Sequence, residues 1–274
     1  MSKKTATHPE RRASTSGMTR QTSGMGKRTG GMGKRTGGMG KRSPGTPGRS
    51  LPVVAAAETQ ANKSARHERV TLATRATQVP GRRAVVERKT KETQITLSLD
   101  LDGTGRVSVD TGVGFFDHML NHIGRHGLLD LNLKARGDLH VDDHHTVEDV
   151  GICLGEALAQ AVGDKKGIRR YGFFITPMEE SLAQVAIDLS GRAAVVYRAK
   201  YRGSKIGTFD VQLVEEFLRA VAQNARMNLH VSVPYGTNNH HIAEAIFKAF
   251  GKALRMACER DPREAAVPST KGVL

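Results

Sequence analysis

The segment His144-His145-Thr146-Val147-Glu148 returns 96 residues later as His240-His241-Ile242-Ala243-Glu244. The flanks repeat as well. Phe115-Phe116-Asp117-His118 precedes the first copy and Val214-Glu215-Glu216-Phe217 precedes the second. His118 lies 26 residues before its pair and Glu216 lies 24 before the other, so the two hold matching places. The stretch 125–134 has a rough counterpart in 225–233. One structural unit is therefore used twice, and two copies of a unit can bring two similar edges together.

The pattern within each unit is strands, helix, strand, helix. Residues 84–89 and 93–101 alternate apolar and polar side chains as strands do. Asp102-Gly103-Thr104-Gly105 reads as a hairpin turn leading to a third strand at 106–111. A helix is expected near 115–126, a strand at 128–135, and a long helix at 144–162 ending at Gly163 as a left-handed cap. The second half repeats this, with strands at 171–176, 182–189 and 193–200, a helix at 210–225, a strand at 227–233 and a helix at 240–260. The fold class is α+β, with two halves at about 82–165 and 166–262 and a C-terminal loop at 263–274.

Charge separates this body from what precedes it. Of the net +15, residues 1–80 carry +13 (16 Lys/Arg against three Glu), and residues 81–274 carry +2 (26 basic against 24 acidic). The leading segment repeats Gly-Met-Gly-Lys-Arg from 24, 31 and 38 and has few apolar residues to bury, so residues 1–80 read as a disordered basic tail. It is either a loose binder of nucleic acid or an acidic partner through counterion release, or a solvated extension without a role. Glycine is too abundant for an organelle leader, and no apolar run reaches membrane-spanning length. Cys153 and Cys258 form no close-spaced motif and read as buried small hydrophobes, in keeping with a reducing, cytoplasmic setting.

Imidazole and carboxylate together hold first-row divalent metals. On a helix, His144 and Glu148 share a face while His145 points about 100° away. Adjacent histidines thus diverge and suit two metal centres better than one. His118, His144, His145, Glu148, Glu216, His240, His241 and Glu244 are eight candidate ligands. Shared between two ions, they leave positions open for water or substrate. The absence of thiolate among them favours Mn, Fe or Zn. His122 and His126 continue the stripe from His118 and are weaker candidates, for substrate contact or a solvated face. His140 and His230 are expected to be structural. A second constellation, Arg169, Arg170, Arg192, Lys248 and Lys271 beside Ser269 and Thr270, suits a phosphate or carboxylate. No P-loop or dinucleotide fingerprint occurs. These features leave open a lyase, another two-metal enzyme acting on a phosphorylated small molecule, or a tail-driven nucleic-acid binder. The near-neutral body argues against the last as the main role.

Several motifs in order resemble one family. They are Arg88–Thr93, Gly114–Leu120, Asp142–Asp149, Ile168–Gly172, Asp188–Arg192, Asn239–Lys248 and Ser269–Gly272. Over about residues 82–274 they are similar to imidazoleglycerol-phosphate dehydratase of histidine biosynthesis. The resemblance implies a ribosomal protein S5 domain 2-like fold and a homo-oligomer of 24 subunits with active sites at interfaces. It also implies two Mn2+ per site and dehydration of D-erythro-imidazole glycerol phosphate to imidazole acetol phosphate. The chemistry it suggests passes through a metal-bound imidazolate. It implies His118, His144, His145, Glu148, His240, His241 and Glu244 as metal ligands. Glu216 stands where some members carry His, and a carboxylate there can still bind Mn2+. Phosphate contacts would be Arg170, Arg192, Lys248, Ser269, Thr270 and Lys271, and Glu92 matches a substrate-contacting glutamate. Beside these, His118, His122 and His126 are candidate substrate contacts, and Glu92 and Glu244 are the candidate proton carriers.

Overall fold

The computed structural model describes residues 74–79 and 81–274. The first half contains β1 (Thr74–Val79), β2 (Arg83–Lys89), β3 (Thr93–Asp100), β4 (Val107–Asp110), α1 (Gly114–Gly127), β5 (Asp130–Gly137) and α2 (His144–Val162). The second contains β6 (Tyr171–Met178), β7 (Ser181–Asp188), β8 (Ala194–Arg198), a short pair β9 (Lys205–Ile206) and β10 (Phe209–Asp210), α3 (Gln212–Asn224), β11 (Asn228–Tyr235) and α4 (Asn239–Cys258).

The two sheets share one topology. Their orders are β1-β2-β3-β5-β4 and β6-β7-β11-β8. In each, the last strand in space runs parallel to its neighbour and the core pairings are antiparallel. Alternation fixes which face is buried. Ile95, Leu97 and Leu99 of β3 and Leu131, Leu133 and Ala135 of β5 point inward, as do Ala183, Val185 and Ile187 of β7. Burying each large side chain contributes about 1.5–3 kcal/mol before chain entropy is counted. Both halves feed one contiguous core.

Helices lie between the sheets. Helix α2 crosses β2 and β3, α4 crosses β6 and β7, α1 packs on α4 and β4, and α3 packs on α2 and β8. Glycines set how closely they approach. A Cβ on Gly155 would lie 2.6 Å from the Val221 carbonyl oxygen and 3.0 Å from the Ala225 nitrogen. On Gly251 it would lie 2.8 Å from the Ile123 oxygen and 3.2 Å from the Gly127 nitrogen. Gly155 and Gly251 are separated by the same 96 residues as the histidine pairs, so the duplication extends to the helix crossings.

Three expectations need correction, and one pair of strands was not anticipated. The 102–105 segment is not a hairpin turn: β4 pairs with β5, not β3. The Asp130 carboxylate accepts from Thr104 N (2.7 Å) and Arg106 N (3.0 Å), which draws the link across the start of β5 and leaves the edge of β3 for β5. Thr74–Val79, within the stretch read as disordered, forms a strand whose backbone pairs with the edge of β2. The rest of that tail, its repeats included, lies outside the described residues. Gly163 has φ 65 and ψ −131, outside the left-handed helical region. The β9–β10 pair had no expected counterpart, being only two residues per strand.

Gly251→Ala and Gly155→Ala should each destabilise the protein by about 1–3 kcal/mol through forced backbone displacement. This runs against the roughly 1 kcal/mol that alanine gains in helix propensity. Denaturant unfolding measures the sign; a gain in stability would show that the close crossings are dispensable.

Candidate active site

Both histidine pairs open a helix. Asn238 accepts from His240 N (2.9 Å) and His241 N (3.4 Å) at the start of α4. Asp142, 96 residues before Asn238, accepts from His144 N (2.8 Å) at the start of α2. These side chains satisfy first-turn donors and fix where each imidazole begins.

One donor group forms where α1 lies beside α4. His240, Glu244 and Lys248 follow at four-residue spacing along α4, facing His118 and His122 of α1. Glu244 is buried (7% exposed) and lies 3.0 Å from His240 Nε2, 3.4 Å from His122 Nε2, 3.7 Å from His118 Nε2 and 2.5 Å from Lys248 Nζ. Phe115 packs edge-on against the His240 ring. Ligand atoms of His118, His122 and Glu244 all fall within 4.8 Å of one another, a spacing a metal ion can use. Burial pushes the Glu244 carboxyl up, but the Lys248 hydrogen bond, with the His122 and Lys248 charges, outweighs it and leaves the group below its ordinary range. Burial lowers His122 to about 4, against the pull of Glu244, so its ring is neutral at neutral pH. Burial also lowers His126, which stacks on His122.

A second donor group sits at the start of α2. His144 Nε2 is 3.9 Å from Glu148, and His145 Nδ1 is 3.1 Å from Asp138. His145 is raised by its Asp138 hydrogen bond, and the negative charge of Glu92 adds to the effect. Among the described residues, no hydrogen bond, ion pair or ring contact joins this group to the first. The four paired histidines do not converge within one chain. The cause is topological: α2 rides on the first sheet and α4 on the second, each paired with a different helix. Glu216 lies on α3, one turn beyond Gln212, which lines a hollow with His144.

The basic residues divide too. Arg170, Arg192 and Ser269–Lys271 line a cleft of about 750 Å³. Arg170 donates to Asp188 (2.6 Å) and to the Pro268 carbonyl (2.8 Å), which ties the C-terminal loop to the second sheet. Lys248 is absent from that cleft and belongs to the Glu244 group.

Asp138 and Glu180 were not anticipated. Glu180 accepts from His241 Nδ1 at 2.7 Å. A signal for it existed: Lys91-Glu92 forms the tip between β2 and β3, and Glu179-Glu180 forms the tip between β6 and β7, 88 residues on. Asp138 has no such repeat to reveal it.

A family model for imidazoleglycerol-phosphate dehydratase matches residues 111–254. A protein of that name from Granulibacter bethesdensis is 61% identical over 194 residues, spanning 70% of this chain and 99% of its own. This chain belongs to the imidazoleglycerol-phosphate dehydratase family. It is a hydro-lyase, acting at the dehydration step of histidine biosynthesis. The Acetivibrio thermocellus dehydratase is 58% identical over 193 residues, with 70% of this chain and 99% of that one covered. The crystal structure of the Staphylococcus aureus dehydratase aligns with TM-score 0.58 and 45% identity, covering 61% of this chain and 95% of that one. The Pyrococcus furiosus structure, in complex with (S)-C348, aligns with TM-score 0.59 and 36% identity, covering 69% and 99%. These likenesses agree with the α+β reading. No described helix is long and apolar enough to cross a membrane.

His122 and His145 should titrate on opposite sides of the ordinary imidazole value in metal-free protein. His122, with its pKa lowered, stays neutral at about pH 5.5, where an ordinary imidazole is mostly charged. His145, with its pKa raised, stays charged above the ordinary value. The stabilisation from the His145–Asp138 pair is therefore complete below about pH 6.5 and fades as pH rises through the higher folded-state value. Histidine-resolved NMR titration checks this; the reverse order would contradict the assigned environments.

Proposed function

We propose that the active site is completed between subunits, where the His118–His240–Glu244 group of one copy meets the His144–His145–Glu148 group and Glu92 of another. The single observation behind this reading is the separation of the two groups in one chain, each holding imidazole and carboxylate and neither forming a full cage. The outer face of the second sheet supports assembly, since Tyr171, Phe173 and Ile175 lie exposed side by side on β6 (55%, 64% and 53%). A homo-oligomer of 24 subunits in the cytoplasm is the assembly we favour.

Two Mn2+ ions per site suit these donors. The nitrogen and oxygen mixture without thiolate, the neutral His122 and the close His118–His122–Glu244 spacing fit such a cation. The candidate ligands are His118, His144, His145, Glu148, Glu216, His240, His241 and Glu244. When bound, the ions supply Lewis acidity that eases loss of a proton from an imidazole ring. The chain's own residues would do the rest for D-erythro-imidazole glycerol phosphate. Arg192, Ser269, Thr270 and Lys271 would hold the phosphate, with Arg170 fixing the loop that carries them. That hold would align the glycerol carbons. Lys248 would keep Glu244 ionised as a ligand. Glu92, whose carboxylate makes no hydrogen bond among the described residues, would carry the proton from carbon, and the hydroxyl would leave as water to give imidazole acetol phosphate.

Glu92→Gln should lower turnover by at least about 100-fold with Mn2+ binding unchanged; near-wild-type turnover would remove Glu92 from the chemistry. Chelation should abolish dehydratase activity and shift sedimentation to smaller species, with both restored by Mn2+. A fully active monomer, or activity indifferent to chelation, would overturn the shared-site reading.

A further inference from the structure

The duplication supplies two equivalent carboxylates whose surroundings differ. Glu92 and Glu180 are each the last residue of the tip that joins two strands, β2 to β3 and β6 to β7. The Glu92 tip is held through its neighbours. Thr90 Oγ1 accepts from Glu92 N (3.1 Å) and Thr93 N (2.9 Å), and Thr93 Oγ1 donates to the buried Asp149 (2.5 Å). The carboxylate itself is left without a hydrogen bond among the described residues.

Glu180 is held by its carboxylate. Its Oε1 accepts from Asn238 N (2.7 Å), Ser181 Oγ (2.9 Å), Thr237 N (3.1 Å) and Thr237 Oγ1 (3.3 Å). Its Oε2 faces His241 Nδ1 at 2.7 Å. Glu179 adopts φ 48, a left-handed backbone that an L-residue enters only at a cost and that turns the tip toward the start of α4. An ionised carboxylate only accepts hydrogen bonds, so His241 must carry its proton on Nδ1. In the neutral ring the lone pair is then on Nε2. In the first half a different residue meets the corresponding ring: Asp138, at the end of β5, faces His145 Nδ1 at 3.1 Å.

We propose that Glu180 is a positioning residue that locks His241 in the Nδ1–H tautomer and so presents Nε2 as its ligand atom. Asp138 gives His145 the same orientation, which frees Glu92 from that task. The duplicated tips have thereby divided their labour: one glutamate orients an imidazole and the other is left free. The tautomer assignment rests on hydrogen-bond chemistry alone, while its consequence for metal affinity rests on the function proposed above.

Glu180→Gln separates this role from simple loop anchoring. Four donors converge on Oε1, so a glutamine would keep its amide oxygen there and turn its NH2 toward His241 Nδ1. The ring would then have to accept at Nδ1 and carry its proton on Nε2. In full-length, chelated protein, histidine-selective 15N spectra should show His241 change from the Nδ1–H to the Nε2–H form, with the unfolding midpoint close to wild type. Affinity for Mn2+ should fall about 10- to 100-fold, whereas Glu92→Gln should leave it unchanged. Should Glu180→Gln fold poorly, Glu180→Ala gives a second reading, with loss of the Nδ1–H preference and a comparable fall in affinity. An unchanged His241 tautomer together with wild-type Mn2+ affinity in either variant would overturn the proposal. Wild-type protein that binds no Mn2+ would instead sink the metal reading, and the tautomer spectra would still decide the orientation.

Discussion

The architecture depends on two glycines that let helix backbones touch. At Gly251 there is no room for a methyl group between α4 and α1, and at Gly155 none between α2 and α3. These contacts fix how each helix lies along its partner, and the donors then follow from the helical repeat. With the Gly251–Gly127 contact set, His122 falls beside Glu244 and Lys248, and His118 beside His240. Side chains more than two turns from the crossing are thus brought together by backbone packing before their own bonds form. Gly172 plays a similar part between layers, since a Cβ there would overlap the Ala253 carbonyl of α4 lying on β6.

Much of this was legible because duplication amplifies weak signals. One His-His-x-x-Glu is common enough to be chance; two copies in register with matching flanks place four helices and eight strands. What failed was pairing rather than propensity. Val107–Asp110 was recognisable as a strand, but Asp102-Gly103-Thr104-Gly105 looks like a hairpin turn whether or not Asp130 captures it from 26 residues downstream. Strand β1 was hidden because its composition resembles the basic segment before it, and its place comes from the open edge of β2. In the site, Glu92 was found through family motifs, while its structural twin Glu180 was passed over. The tips repeat at 88 residues and the histidine pairs at 96, so no single offset aligns both.

Separation of the donor groups follows from the same topology. Each helix start belongs to its own sheet, and every helix takes its partner from the other half, α1 with α4 and α2 with α3. A chain built this way carries two separate donor groups, each with its own surroundings. The first is buried around Glu244 and neutralised by Lys248; the second is more open, with Glu92 free and His145 paired to Asp138. Lys248 shows how far a linear reading goes: it groups with arginines by charge, yet one helical turn commits it to Glu244.

Along the α1–α4 contact, His118 meets His240, His122 meets Lys248's neighbour Glu244, and Gly127 meets Gly251, so the two helices run in the same direction. Parallel alignment stacks their peptide dipoles instead of cancelling them. Both positive poles therefore open on the rim where the imidazoles gather. The rim carries a built-in field that favours electron-rich guests at both helix starts, even before any side-chain charge is considered.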